Sequence, residues 1–187
     1  MRNQLIAALV LLMSSQAVAG YYDSNNSLNE YDRETGYFYT LVKQTEERGL
    51  LKGGYTKAID IYIYFPLENK GKYLFSRKNK KEILTVLYET GYDEAKHSIV
   101  FNSCDNSYAV KNNKGVEQRK LKNKILIFLF DTETKRYELW QAGKKGEDVK
   151  LLRELGKDTK WHIDVLNSKI RFISQKDVEI KIENLDW

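Results

Sequence analysis

Residues 58–65 read AIDIYIYF. Ile59, Ile61 and Ile63 alternate with Asp60, Tyr62 and Tyr64, and a period of two puts the isoleucines on one face of a half-buried β-strand. A second stretch, ILIFLF at 125–130, has no polar position. A short apolar run of that kind is a strand covered on both faces.

Outward from these two, the chain from Tyr37 is a succession of short runs: YFYTLVKQ, KGKYLFS, ILTVLYE, HSIVFNS, RYELWQA, DVKLLREL, WHIDVLN, KIRFISQ and VEIKIEN. They are rich in β-branched and aromatic residues and are bounded by Gly, Asn, Asp and Lys, which is how strands and their turns are written. KEILTVLYE and EDVKLLREL contain good helix formers. Both are short, uncapped and set among strands, so they read as strands too. Pro66, the sole proline, falls at a strand end, where its missing N–H costs no ladder bond. Residues 37–187 are therefore expected to form a single all-β domain of antiparallel meander sheets.

The segment before it has two parts. Residues 1–19 carry Arg2, an apolar run from Leu5 to Met13 and small residues at Ala17, Val18 and Ala19. That is the layout of a secretory signal peptide cleaved after Ala19, which implies a periplasmic or secreted protein. The run is shorter than the about 20 residues a membrane span needs. Residues 20–36 are polar, Asn-rich and aperiodic, and read as a flexible N-terminal segment. Cys104 is the only cysteine, so no internal disulfide forms.

Charge narrows the function classes. Once Arg2 leaves with the signal, 30 basic residues face 26 acidic ones. The signs are interspersed, as at Lys80, Lys81 and Glu82 or Lys144, Lys145 and Glu147. Such patterning is that of a solvated surface, whereas nucleic-acid binders gather their cations on one face.

The chain also resembles itself. IYIYFPLENKGKYLF and ILIFLFDTETKRYELW align at an offset of 65 residues, pairing Phe65 with Phe130 and Phe75 with Trp140. EAKHSIVFNS and VLNSKIRFIS align at an offset of 71, pairing Ile99 with Ile170 and Phe101 with Phe172. A repeated strand–turn–strand unit is the signature of propellers and stacked sheets. The polar stretch Ser103–Asn123 reads as an inserted loop.

On these residues the chain resembles the TolB-like, PD40-type β-propeller blade repeats. The resemblance covers about residues 138–174, through Leu139 and Trp140, Gly146, Leu151 and Leu152, Trp161 and the hairpin Asn167–Phe172, with a weaker copy at 59–103. Asn167-Ser168 stands where those repeats carry Asp-Gly. The resemblance implies blade-type sheets. Propellers close with four to eight blades of about 40 to 50 residues, and this chain supplies three to four at most. The expectation is an incomplete or small propeller-like assembly, with a β-sandwich as the alternative.

Candidates for chemistry are few. His162 lies two residues from Asp164, on the same strand face, as a base beside an orienting carboxylate would. No G-x-S-x-G elbow supplies a nucleophile. Two histidines and one cysteine without short spacing fall below a zinc set. DTETK at 131–135 lacks the Gly and the closing Glu of a calcium loop, and no Gly-rich phosphate loop is present. No catalytic residue, metal or cofactor is expected. Tyr62 and Tyr64 point away from the isoleucine face and form either an exposed aromatic ladder or a surface covered by a neighbouring sheet. With Trp140, Trp161 and His162 they are the candidate binding residues. The expected function is an exported, non-enzymatic binding or scaffold protein of the bacterial cell envelope that engages a protein or a glycan through sheet surface and loops, possible oligomers included. The alternatives are a secreted hydrolase using His162 with a nearby carboxylate, and a structural protein with no ligand.

Overall fold

A computed structural model describes residues 28–47, 54–76, 79–102 and 109–187. The expected signal peptide at 1–19 and Cys104 lie outside them. The described chain is all-β, with one 3-10 turn at Pro66–Glu68. Its strands are β1 (Asn29–Asp32), β2 (Tyr37–Glu47), β3 (Gly54–Phe65), β4 (Lys70–Tyr73), β5 (Glu82–Leu87), β6 (Glu89–Asp93), β7 (Ser98–Phe101), β8 (Val110–Lys111), β9 (Ile125–Asp131), β10 (Arg136–Ala142), β11 (Lys150–Leu155), β12 (Lys160–Asp164), β13 (Lys169–Lys176) and β14 (Glu179–Asp186). No described helix is long and apolar enough to cross a membrane.

Three four-stranded sheets and one hairpin result. The first sheet is the meander β1-β2-β3-β4, the middle sheet runs β5-β9-β10-β11, the third runs β8-β12-β13-β14, and β6-β7 stands as a pair. The ILIFLF run forms β9, at the centre of the middle sheet. Ile125, Ile127 and Leu129 join Tyr39, Leu41, Ile61, Ile63 and Phe65 of the first sheet in one core. Leu126 and Phe128 join Trp161, Ile163, Ile170 and Phe172 of the third sheet in another. β9 is therefore buried on both faces, and the sheets stack in three layers about it.

Two bulges set the phase of the strands flanking these cores. In β3 the register slips opposite Val42 and Lys43, so Val42 pairs with Asp60 and Lys43 with Ala58. The extra residue is Ile59. Ala58 packs on the core while Ile59 belongs to neither cluster, a departure from the alternation read at 58–65, because a bulge adds one residue to the count. In β5 the slip between Ile83 and Thr85 leaves Leu84 extra. Ile83 and Val86 then face the first sheet, and Leu84 and Leu87 face the third.

Four hairpins share one turn. Asp32, Asp93, Asp131 and Asp164 each end a strand, and each carboxylate accepts backbone N–H groups two or three residues on: Glu34 at 3.2 Å, Lys96 at 3.1 Å, Glu133 at 2.9 Å and Asn167 at 3.2 Å. Each turn closes on a left-handed residue, Gly36, His97, Lys135 or Ser168. The turn, an Asp side chain standing in for backbone, is the repeat the fold contains. The 71-residue offset pairs two copies of it, Asp93 with Asp164. The 65-residue offset instead pairs the β3–β4 connection, third and fourth in its sheet, with β9–β10, second and third in theirs.

Two stretches read as irregular hold structure. Within 20–36, Leu28 is buried and β1 pairs with β2 from Asn29 to Asp32. Within 103–123, β8 lies parallel to β12, the one parallel pair among the described strands, with Val110 opposite Ile163. Ala109 and Val116 enter the core, and the Asn113 side chain both accepts from the Ile99 N–H at 3.0 Å and donates to the Ile99 carbonyl at 2.7 Å, acting as a short strand. A side-chain amide can replace a ladder partner, which is why this polar stretch folds without strand composition.

Phe128 ties the middle layer to the third, with its ring 5.5 Å from Tyr137 and 5.6 Å from Trp161. Phe128→Ala is expected to lower unfolding free energy by about 3–5 kcal/mol, read from the urea midpoint followed by tryptophan fluorescence.

Candidate functional site

The first sheet turns one face to the middle sheet and the other outward. On the outward face, register places Tyr31 opposite Phe38, Phe38 opposite Tyr64, and Tyr64 opposite Gly71. The next row holds Asn29, Thr40, Tyr62 and Tyr73. The Tyr62 and Tyr73 rings lie 5.0 Å apart and tilted by 58°. Tyr64 donates its hydroxyl to Asn69 Oδ1 at 2.9 Å. The Tyr62 ring lies across Gly71, where a Cβ would collide with its hydroxyl and Cζ atoms; only glycine leaves room for it. Phe38, Tyr62, Tyr64 and Tyr73 belong to neither core and stay half-exposed, and Tyr31 is 57% exposed. Of the two readings of Tyr62 and Tyr64, the described residues match the open aromatic ladder.

At Tyr31 this face runs into a groove of about 440 Å³ between β1 and the β6–β7 hairpin, lined also by Glu30, Arg33, Tyr92 and Phe101. A second groove, of about 380 Å³, lies between residues 115–119 and the β12–β13 turn.

The remaining sequence candidates lie elsewhere. Trp161 is 5% exposed in the core between the middle and third sheets; it packs the layers together and offers no surface to a ligand. Trp140 sits half-buried between the first and middle sheets, edge-on to Phe75 at 5.8 Å, with Lys81 Nζ 5.6 Å above its ring and its Nε1 donating to Glu138 Oε2 at 2.7 Å. His162 lies on the outward face of the third sheet, opposite Arg171. Burial pushes its imidazole below the usual histidine range, against the pull of Asp164. Asp164 does share its face, as alternation requires. Its carboxylate, however, accepts from Arg171 Nε at 2.7 Å and Asn167 Nδ2 at 2.8 Å. Burial alone would raise Asp164, yet these bonds hold it below the ordinary carboxylate range. Neither groove includes His162. The structure thus brings Tyr62 and Tyr64 together and scatters the other three.

Beneath the aromatic sheet lies a charged hub that the sequence did not reveal. Lys144, read as a solvated charge beside Lys145, is 1% exposed. Its Nζ reaches Asp32 Oδ2 at 2.9 Å and the Glu89 carbonyl at 2.6 Å, 5.6 Å from the Tyr88 ring centre. Its own carbonyl accepts from the Tyr39 hydroxyl at 2.8 Å. Lys145, by contrast, stays on the surface beside Glu68. Glu89 is fully buried and takes Arg119 through both guanidinium nitrogens, at 2.9 and 2.6 Å, the Lys122 N–H at 2.9 Å and Trp187 Nε1 at 3.0 Å. Burial pushes the Tyr39 and Tyr88 phenols well above their ordinary value, so both remain neutral. The loop that carries Lys144 inward turns at Gly146, whose φ is +73° and where a Cβ would meet Lys72 Cε at 2.7 Å and Ile63 Cδ1 at 2.8 Å. Among the described residues no group of three His, Cys, Asp or Glu could hold a metal ion.

The hub ties β1, β6, the β10–β11 loop, the linker before β9 and Trp187; Asp32, Glu89 and Lys144 at its centre are closed to solvent, and Arg119 reaches Glu89 from the partly exposed rim. Removing one member leaves a buried charge without its partner, which costs about 3–5 kcal/mol. Lys144→Met is expected to lose that much in urea unfolding, and Lys144→Met combined with Asp32→Asn to recover part of it. No family model matches this chain, and no curated protein or solved structure is matched by it.

Proposed function

We propose that this chain is an exported, non-enzymatic binding protein of the bacterial cell envelope that engages a protein partner through the aromatic outward face of its first sheet. The observation that carries the reading is the row Tyr31, Phe38 and Tyr64 beside Tyr62 and Tyr73, half-exposed and outside both cores. Tyrosine supplies large rigid contact area with a polar tip, and with tryptophan and arginine it is enriched among the residues that carry most of the energy of protein interfaces. The adjoining groove at Tyr31 gives an incoming side chain a place to seat.

The ring geometry favours a protein over a glycan. A sugar stacks on the flat of an exposed ring, whereas Tyr62 and Tyr73 are tilted by 58° and Tyr64 is tied to Asn69. The signal-like leader supports export, and the TolB-like blade resemblance accords with a binding role. The hydrolase alternative gains nothing from Asp164, whose carboxylate is occupied by Arg171 and Asn167.

A photo-reactive side chain installed at Thr40, in the row of Tyr62, tests the reading in cells. It is expected to yield a defined protein adduct, and Tyr62→Ser with Tyr64→Ser to reduce that adduct at least tenfold, equivalent to about 1.4 kcal/mol, while the urea midpoint holds. Absence of any protein adduct from Thr40, or an adduct indifferent to the double substitution, rejects it.

A further inference from the structure

β14 is the outer strand of the third sheet, paired only with β13 among the described strands. Edge strands usually carry charges or prolines that discourage pairing. This one presents Ile180 and Ile182, 66% and 56% exposed, next to Val178, 92% exposed, in the turn before it. Three β-branched residues in water on an unpaired edge are an invitation to another strand.

The charges between the isoleucines identify which strand. On the opposite face of β14, Lys181 and Glu183 carry opposite signs, with Lys181 Nζ 3.3 Å from Glu183 Oε1 while Glu183 Oε2 accepts from Arg153 of β11. Set antiparallel to a copy of itself with Ile182 opposite Ile182, the strand places Lys181 opposite the second copy's Glu183, and Glu183 opposite its Lys181. Opposite charges directly across a ladder attract, and like charges repel. The register also runs the overlap from Glu179 to Leu185 and lines the isoleucines of both copies on one face. A slip that puts Lys181 opposite itself sets Glu179 against Glu183 and is disfavoured. The slip that puts Ile180 opposite itself keeps only Glu179 to Lys181 in overlap before the hairpin turn intervenes.

We propose that β14 is the seam of a homodimer, in which two third sheets join antiparallel about a two-fold axis at Ile182 into one eight-stranded sheet. The seam lies on the third sheet, apart from the aromatic face of the first, so the two assignments stand or fall separately.

Cross-linking in the full chain tests both the partner and the register. With Cys104→Ser as background, so that the new thiol is the only one, Ile182→Cys is expected to give a covalent dimer under mild oxidation. Ile180→Cys, which faces Asn184, is expected to give less than a tenth as much. Without cysteine substitutions, sedimentation is expected to show a concentration-dependent dimer that Lys181→Glu weakens at least tenfold by setting Glu against Glu. A chain that stays monomeric up to about 1 mM, the range of marginal affinities, overturns the proposal. So does equal cross-linking from Ile180→Cys and Ile182→Cys, or a dimer insensitive to Lys181→Glu.

Discussion

The structure rests on one strand having no wet side. β9 gives Ile125, Ile127 and Leu129 to the first sheet and Leu126 and Phe128 to the third, so the two cores share a single backbone wall. Apolar burial contributes about 25 cal/mol per Å² removed from water, and a strand that contributes on both faces does so twice over its length. With one cysteine in the chain, burial is also what must offset the conformational entropy of ordering so many short strands. The neighbouring strands follow from it: the bulge at Leu84 lets β5 repeat the two-sided pattern beside β9, and the bulge at Ile59 brings Ala58 onto the core.

Stacked sheets leave the problem of their ends. The layers meet where β1, β6, the β10–β11 loop and the chain after β14 converge, and there the protein uses charge instead of grease. Asp32 with Lys144 and Glu89 with Arg119 satisfy one another, with Tyr39 and Trp187 supplying neutral donors. Such pairs do little for net stability relative to apolar packing, but they demand one geometry. The outward face of the third sheet repeats the device once, in the buried Asp164 held by Arg171 and Asn167. The first sheet ends in tyrosines and the third in isoleucines at an edge, and those are the two surfaces on which we place partners.

How far the sequence led can be judged from particular residues. The burial of ILIFLF on both faces from Ile125 to Leu129, the inward Ile61 and Ile63, the outward Tyr62 and Tyr64, and the strand nature of KEILTVLYE all follow from period and composition, because side chains in a strand alternate whatever surrounds them. Ile59 and Leu84 escaped because a bulge depends on the partner strand, and nothing in their own identity marks it. Lys144 and Glu89 escaped for the same kind of reason: a buried charge reads like a surface charge until the residue 112 positions away, Asp32, is seen beside it. Trp140 and Trp161 look alike in sequence, yet one is half-buried at a seam and the other closed in a core. The Asp that opens four hairpins recurs at irregular spacing, so one fixed offset matches only the pair Asp93 and Asp164 and leaves Asp32 and Asp131 unmatched.

The measurement that tests the two-sided burial of β9 most directly is native-state amide hydrogen exchange. If β9 is the shared wall, its amides from Leu126 to Phe130 open only when the whole molecule unfolds, so their exchange free energy equals the unfolding free energy from urea, while those of β14 exchange from smaller openings. Exchange in β9 as fast as in β14 would contradict the account.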